Sequence, residues 1–118
     1  MIKRSSQLRH ASEFALRGGE GTVEMTHMLD ESEAAKTGRT FALASIPPGA
    51  SIGYHQHVGD MEIYHILSGT ASVRDDEVNE QLHPGDTMIC YDGHWHSIAN
   101  DTEEPLEYIA LILYTGRA

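Results

Sequence analysis

His55 and His57 stand one residue apart and are followed, five positions beyond the second, by Glu62. In an extended strand, residues two apart project from the same face, so the two imidazoles share a side with Gly53 while Tyr54 and Gln56 face opposite. Imidazole nitrogens and a carboxylate oxygen are ligands for first-row divalent metals, and two imidazoles on one face can share an ion. A turn through Val58, Gly59, Asp60 and Met61 brings the chain back, and Glu62 opens the returning run with its carboxylate able to swing to the same side. A third imidazole must come from elsewhere. The stretch YDGHWHSIAN offers His94 and His96. Asp92-Gly93 is a two-residue hairpin signal, so a strand is predicted to restart near His94, and either histidine could reach inward.

The elements that must position these groups are short. The chain has 118 residues, enough for one domain with a single core. From Gly38 onward, the β-prone runs TFALASI, SIGYHQH, EIYHIL, TASVRD, TMICY, HSIAN and LEYIALILY alternate with turn chemistry in PPG, VGD, SG, HPGD, DG and DTEEP. Short strands with regular punctuation and no long helical run predict an all-β sandwich or barrel. Pro48-Gly49 and Pro84-Gly85 each feed a strand that ends in histidines, which suits two similar halves closing into a double-layered barrel. Ahead of them, TVEMTHML alternates Val23, Met25, His27 and Leu29 against Thr22, Glu24, Thr26 and Met28, and predicts a strand. DESEAAKTG predicts a helical turn after Asp30 that stops at Gly38. The first twenty residues fit either a weak helical pattern through Leu8, Ala11 and Phe14 or an extended arm.

The balance of 8 basic against 18 acidic side chains, net -10, repels polyanions, so neither nucleic acid nor an anionic membrane surface is an expected partner. The single cysteine, Cys90, excludes an intrachain disulfide. The N-terminal stretch carries positive charge without an apolar core, and no run approaches the length of a membrane span. A cytoplasmic protein is expected.

On these residues the chain resembles the small single-domain cupins. Their first motif reads G, five residues, H-x-H, three or four residues, E, six residues, G, and Gly49, His55, His57, Glu62 and Gly69 fill every position. The second reads G, five residues, P-x-G, two residues, H, three residues, N. Here it is Gly85, Tyr91, Gly93, His96 and Asn100, with Tyr91 in place of the usual proline, a departure confined to a turn. The resemblance implies a cupin double-stranded β-helix, a jelly-roll-like barrel, with residues 1–118 as one domain: an N-terminal arm and strand over 1–39 and a barrel core over 40–115. It also implies one divalent transition metal per chain (Mn, Fe, Co, Ni or Zn) held by His55, His57, Glu62 and His96. Three imidazoles and one carboxylate leave a net positive centre, which suits a small anionic substrate. A closed structural zinc is the competing use of such ligands, but those sites lean on cysteine. Similar small cupins include dioxygenases, decarboxylases, isomerases and lyases. The expectation is therefore a metal-dependent enzyme acting on a small organic anion. The alternative is a non-catalytic barrel that binds or senses a small molecule with the metal as anchor.

Between the two histidines of HWH, His94 lies at the turn's edge, whereas His96 lies deeper and keeps the family spacing from Gly93. His96 is the expected ligand and His94 a rim residue near incoming substrate. Tyr64 shares the face of Glu62 by alternation and either lines the pocket or packs in the barrel core. His27, in a row with Met25, either approaches the metal mouth or is simply packed. His65 falls on the opposite face, His10 and His83 carry no signal, and Asp60 is read as serving its turn. Met88 and Cys90 are read as core. Tyr54 and Trp95 point away from the ligands, toward a subunit contact. A homodimer is expected because the strand TVEMTHML needs an edge to pair with.

Overall fold

The computed structural model describes residues 1–116, and among them the chain forms ten strands: β1 (Arg9–Phe14), β2 (Thr22–Leu29), β3 (Gly38–Ile46), β4 (Ser51–Gln56), β5 (Asp60–Ser68), β6 (Ala71–Asp75), β7 (Val78–Leu82), β8 (Thr87–Cys90), β9 (Trp95–Ala99) and β10 (Leu106–Tyr114). They build a six-stranded sheet, ordered β1-β2-β3-β10-β5-β8, and a four-stranded sheet, ordered β4-β9-β6-β7. The strand pairings are antiparallel. This is the all-β double-stranded helix that the sequence leads one to expect.

Alternation decides which side chains the sheets enclose. Tyr64 and Ile66 of β5, Leu106, Tyr108 and Ala110 of β10, and Ala44 and Ile46 of β3 turn inward from the large sheet. Ile52, Ile98, Ala71 and Val73 meet them from the small one. Each larger apolar side chain buried this way contributes about 1.5–3 kcal/mol. Asn100 closes the barrel's turn after β9. Fully buried, its amide nitrogen donates to the carbonyls of Ile46 at 2.9 Å and Glu104 at 2.7 Å, and its Oδ1 accepts from the Thr102 amide at 3.0 Å.

The N-terminal segment is an extended arm rather than a helix. β1 pairs along β2, with Ala11 opposite Met25, and Phe14 stands 79% exposed. β2 is paired on its other side with β3, so the edge it was expected to seek in a second copy is supplied by its own chain, and the edge strands of the sheet are β1 and β8. The turn after Asp30 is a 3-10 turn over Glu31–Glu33. Lys3 reaches Glu33 at 2.7 Å and Arg9 reaches Asp30 at 2.9 Å, tying the arm to this turn.

Two expectations change. β7 was not among the expected strands because VNEQL is polar and almost wholly exposed; it forms as the edge partner of β6. Asp92-Gly93 is not a hairpin turn, since β8 lies in the large sheet and β9 in the small one. It is a corner at which the chain changes sheets, with Gly93 at φ 88°. The link from β4 to β5 crosses in the same way.

Candidate metal centre

Those two corners bring the expected donors together. His55 lies on β4 and His96 on β9, and the two are direct partners across the small sheet. His57 follows the end of β4, where its amide donates to the His94 carbonyl at 3.0 Å and its carbonyl accepts from the Gly93 amide at 2.7 Å. Glu62 arrives from β5 of the facing sheet. Strict alternation along β4 fails. Ile52 pairs with Ile98 and His55 with His96, so the bulged strand spends one extra residue between them, and both Ile52 and His55 are buried.

One ligand atom from each of His55, His57, Glu62 and His96 can be chosen so that all four lie within 4.8 Å of one another, and all four residues are buried. His96 Nε2 stands 3.2 Å from His55 Nε2, 3.1 Å from His57 Nε2 and 3.1 Å from Glu62 Oε1. Two donors about 2.1 Å from one ion and at right angles to each other stand about 3.0 Å apart, so these separations fit a shared metal. The other ring nitrogens settle the tautomers of two histidines. His55 Nδ1–H donates to the Gly53 carbonyl at 2.6 Å, and His57 Nδ1–H donates to Asp60 Oδ1 at 2.7 Å. Each Nε2 lone pair is then directed into the cluster, where lone pairs repel unless a positive charge stands between them.

The electrostatics agree. Burial pushes His55 down to about 4, which keeps it neutral and ready to ligate. Burial also opposes charge on His57, but its hydrogen bonds to Glu62 and Asp60 outweigh that and raise it. Glu62 would be raised by burial, yet the hydrogen bonds from His57 and His96 bring it down to about 2, so it is a carboxylate at neutral pH. A proton on His57 answers part of this demand for positive charge. A divalent cation shared by the four donors would also answer it.

His55, His57 and Glu62 form part of the wall of a cavity of about 230 Å³ that Tyr64, His27, Arg17 and Arg39 also line, with His96 fully buried behind them. Tyr64 stacks on the His96 ring at 4.9 Å with its hydroxyl 3.5 Å from Nε2, and burial raises it well above its ordinary value, so it stays protonated. His27 is half-buried and lowered chiefly by burial, and its Nδ1 has no hydrogen-bond partner. His94 does not line the cavity. It is exposed, and its Nδ1 is held by Asp76 at 2.6 Å. His65 is exposed and bonded to Thr87. Met88 and Cys90 are buried, and burial raises the Cys90 thiol to about 12. Tyr54 and Trp95 stack on each other on the outside, with ring centroids 5.2 Å apart, and Arg74 lies over the Tyr54 ring.

Asp60 is the principal correction. Rather than a turn residue, it is buried, accepts from His57, and takes a second hydrogen bond from Arg39 Nε at 3.0 Å. Its spacing of three from His57 was the available signal. Glu13, near the end of β1, and Arg17, from the turn after it, also reach the cavity, and nothing in their sequence context marked them.

Comparison with known proteins gives the same picture. Residues 42–112 match the family model described as "Cupin domain". A Thermotoga maritima protein called "Oxalate-binding protein" is 37% identical over 113 residues, covering 96% of this chain and 93% of that one. A crystal structure described as a predicted oxalate decarboxylase, also from Thermotoga maritima, superposes with a TM-score of 0.91 at 36% identity, covering 98% of this chain and 100% of that one. The cupin domain of Schizosaccharomyces pombe Cnp3 shares the fold alone, with a TM-score of 0.70 at 15% identity over 79% of this chain and 61% of that one.

Proposed function

The chain belongs to the cupin family, and on that premise we propose that it is a metal-dependent enzyme that binds a small dicarboxylate of the oxalate class and acts on it. The observation that carries this reading is a cluster of three imidazoles and one carboxylate, of which His55, His57 and Glu62 open onto a small cavity that two arginines also line while His96 backs them from the interior. The names of the two Thermotoga maritima relatives support the substrate class.

His55, His57, Glu62 and His96 would hold a divalent ion, whose Lewis acidity would stabilise negative charge on a carboxylate or enolate oxygen. The chain's own residues do the rest. The Gly53 carbonyl and Asp60 hold His55 and His57 in the ligating tautomer. Arg39 balances the charge of Asp60. Tyr64 keeps its proton and can donate a hydrogen bond beside His96. Leu16, Met25, Ile52 and Ile112 supply apolar wall that limits water. His27, whose Nδ1 has no hydrogen-bond partner, stands on the wall, and an unpaired acid–base group near the ligand favours catalysis over simple binding.

The test is calorimetric titration of oxalate into manganese-loaded and metal-free protein, followed by assay of formate and carbon dioxide. Binding that requires the metal, with turnover, is expected. Binding without product would leave the non-catalytic barrel as the function. Full metal occupancy without oxalate binding would overturn the substrate class.

A further inference from the structure

We propose that the turn between β1 and β2 presents Arg17 as the residue that selects a dicarboxylate over a monocarboxylate at the metal cavity. The inference rests on the function proposed above and deepens it.

Arg17 reaches the cavity from outside the two motif segments that carry the metal donors. Its backbone is held in the left-handed region at φ 54°, as is Ala15 at φ 53°. Non-glycine residues persist in that region only where their surroundings over-determine them, and such residues gather at ligand clamps. The surroundings here are β4. A Cβ on Gly19 would stand 2.2 Å from the Ser51 carbonyl oxygen, and one on Gly53 would stand 2.0 Å from the Arg17 carbonyl oxygen. The turn therefore lies backbone against backbone on the strand that carries His55. The Ser51 amide donates to the Glu20 carbonyl at 2.8 Å, and the Glu20 amide donates to Ser51 Oγ at 2.9 Å, fixing the contact. Gly53 serves both sides, since its missing side chain admits the turn and its carbonyl orients His55.

Charge completes the argument. Arg39, the other arginine of the cavity, is tied to Asp60. Arg17 pairs with no carboxylate among the described residues, in a chain where acids outnumber bases 18 to 8. A planar guanidinium left unpaired beside a cavity of about 230 Å³ is suited to a carboxylate that arrives with the ligand. One carboxylate of a dianion would go to the metal and the other to Arg17. Glu13 lines the same cavity and opposes anions, so the two residues of the arm have effects of opposite sign.

The experiment titrates oxalate and, separately, acetate into cobalt-loaded protein by calorimetry, with cobalt affinity measured in parallel. Arg17→Gln is expected to weaken oxalate on the order of tenfold and to leave acetate and cobalt affinity unchanged. Arg17→Lys should recover part of the loss. Gly19→Ala should reproduce the loss with Arg17 in place, by lifting the turn. Glu13→Gln should leave oxalate binding unchanged or tighter. Equal oxalate affinity in wild type and Arg17→Gln would overturn the inference alone. So would a parallel loss of cobalt, or a loss in Glu13→Gln that matches Arg17→Gln, since either would make the turn merely structural. Cobalt-loaded wild type that binds no oxalate would overturn the inference and the proposed substrate together.

Discussion

His57 donates its Nδ1 hydrogen to Asp60 at 2.7 Å, and that bond fixes which nitrogen of the ring faces the cluster. Asp60→Ala should lower metal affinity about 10–100-fold, measured by competition with a chromophoric chelator, because the imidazole loses both its orientation and the carboxylate that raises its basicity. Asp60→Asn keeps one acceptor and should lose less. Unchanged affinity in both would remove Asp60 from the site.

The two histidines of HWH should separate cleanly. His96 is fully buried at the centre of the cluster, whereas His94 is exposed and tied to Asp76. His96→Ala should lower metal affinity by about 100-fold or more, since loss of a ligand exceeds the loss of its outer support. His94→Ala should keep metal content near normal and leave the melting temperature close to that of the wild type. The reverse ranking in a calorimetric metal titration would contradict the register of β4 against β9.

Metal removal should be visible in the melt. An ion that binds only the folded chain stabilises it by about 2.7 kcal/mol at a hundred times its Kd, which for a domain of this size raises Tm by about 10 °C. Differential scanning fluorimetry with manganese, then with excess chelator, measures it. A melt indifferent to both would show that the four donors hold no ion.

The arm should loosen in acid. Asp30 is lowered from its ordinary 3.8, first by its hydrogen bond from Arg9, and Glu33 from 4.5, first by its bond to the Asp30 amide and then by Lys3. Folded values below the unfolded ones mean that these contacts stabilise above about pH 4.5 and are lost as pH falls through the lowered values. The difference in urea midpoint between wild type and Lys3→Met should therefore be present at pH 7 and close toward pH 3. A difference that persisted at pH 3 would assign the role of Lys3 to packing.

The donors were legible because their information is local: His55, His57 and Glu62 lie within eight residues, and His96 sits at a fixed distance from Gly93. The inward faces of β5 and β10 were equally legible, since Tyr64, Ile66, Leu106 and Tyr108 keep strict period two. What stayed hidden is what only the assembled sheets decide. VNEQL becomes a strand because β6 offers it an edge, not because its side chains prefer one. Asp92-Gly93 has hairpin chemistry, yet it turns a corner because β8 and β9 find partners in different sheets. Asp60 was read as a turn acid because its neighbours in sequence form a turn, while the groups that give it a role, His57 and Arg39, meet only after folding. The position of Arg17 depends on the missing side chains of Gly19 and Gly53, which no pattern of hydrophobicity records.

The pairing of His55 with His96 has a kinetic consequence, because it joins positions 41 residues apart. The entropy of closing that stretch must be met before the ligand set exists, and domains built largely from such long-range strand pairings fold in milliseconds to seconds rather than microseconds. An ion held by all four donors would therefore not find its full ligand set in His55 and His57 alone, and would be bound completely only after β4 and β9 have paired. In a refolding chain supplied with saturating metal, uptake would then be set by strand assembly and become independent of ion concentration, so the metal would report when β4 and β9 pair.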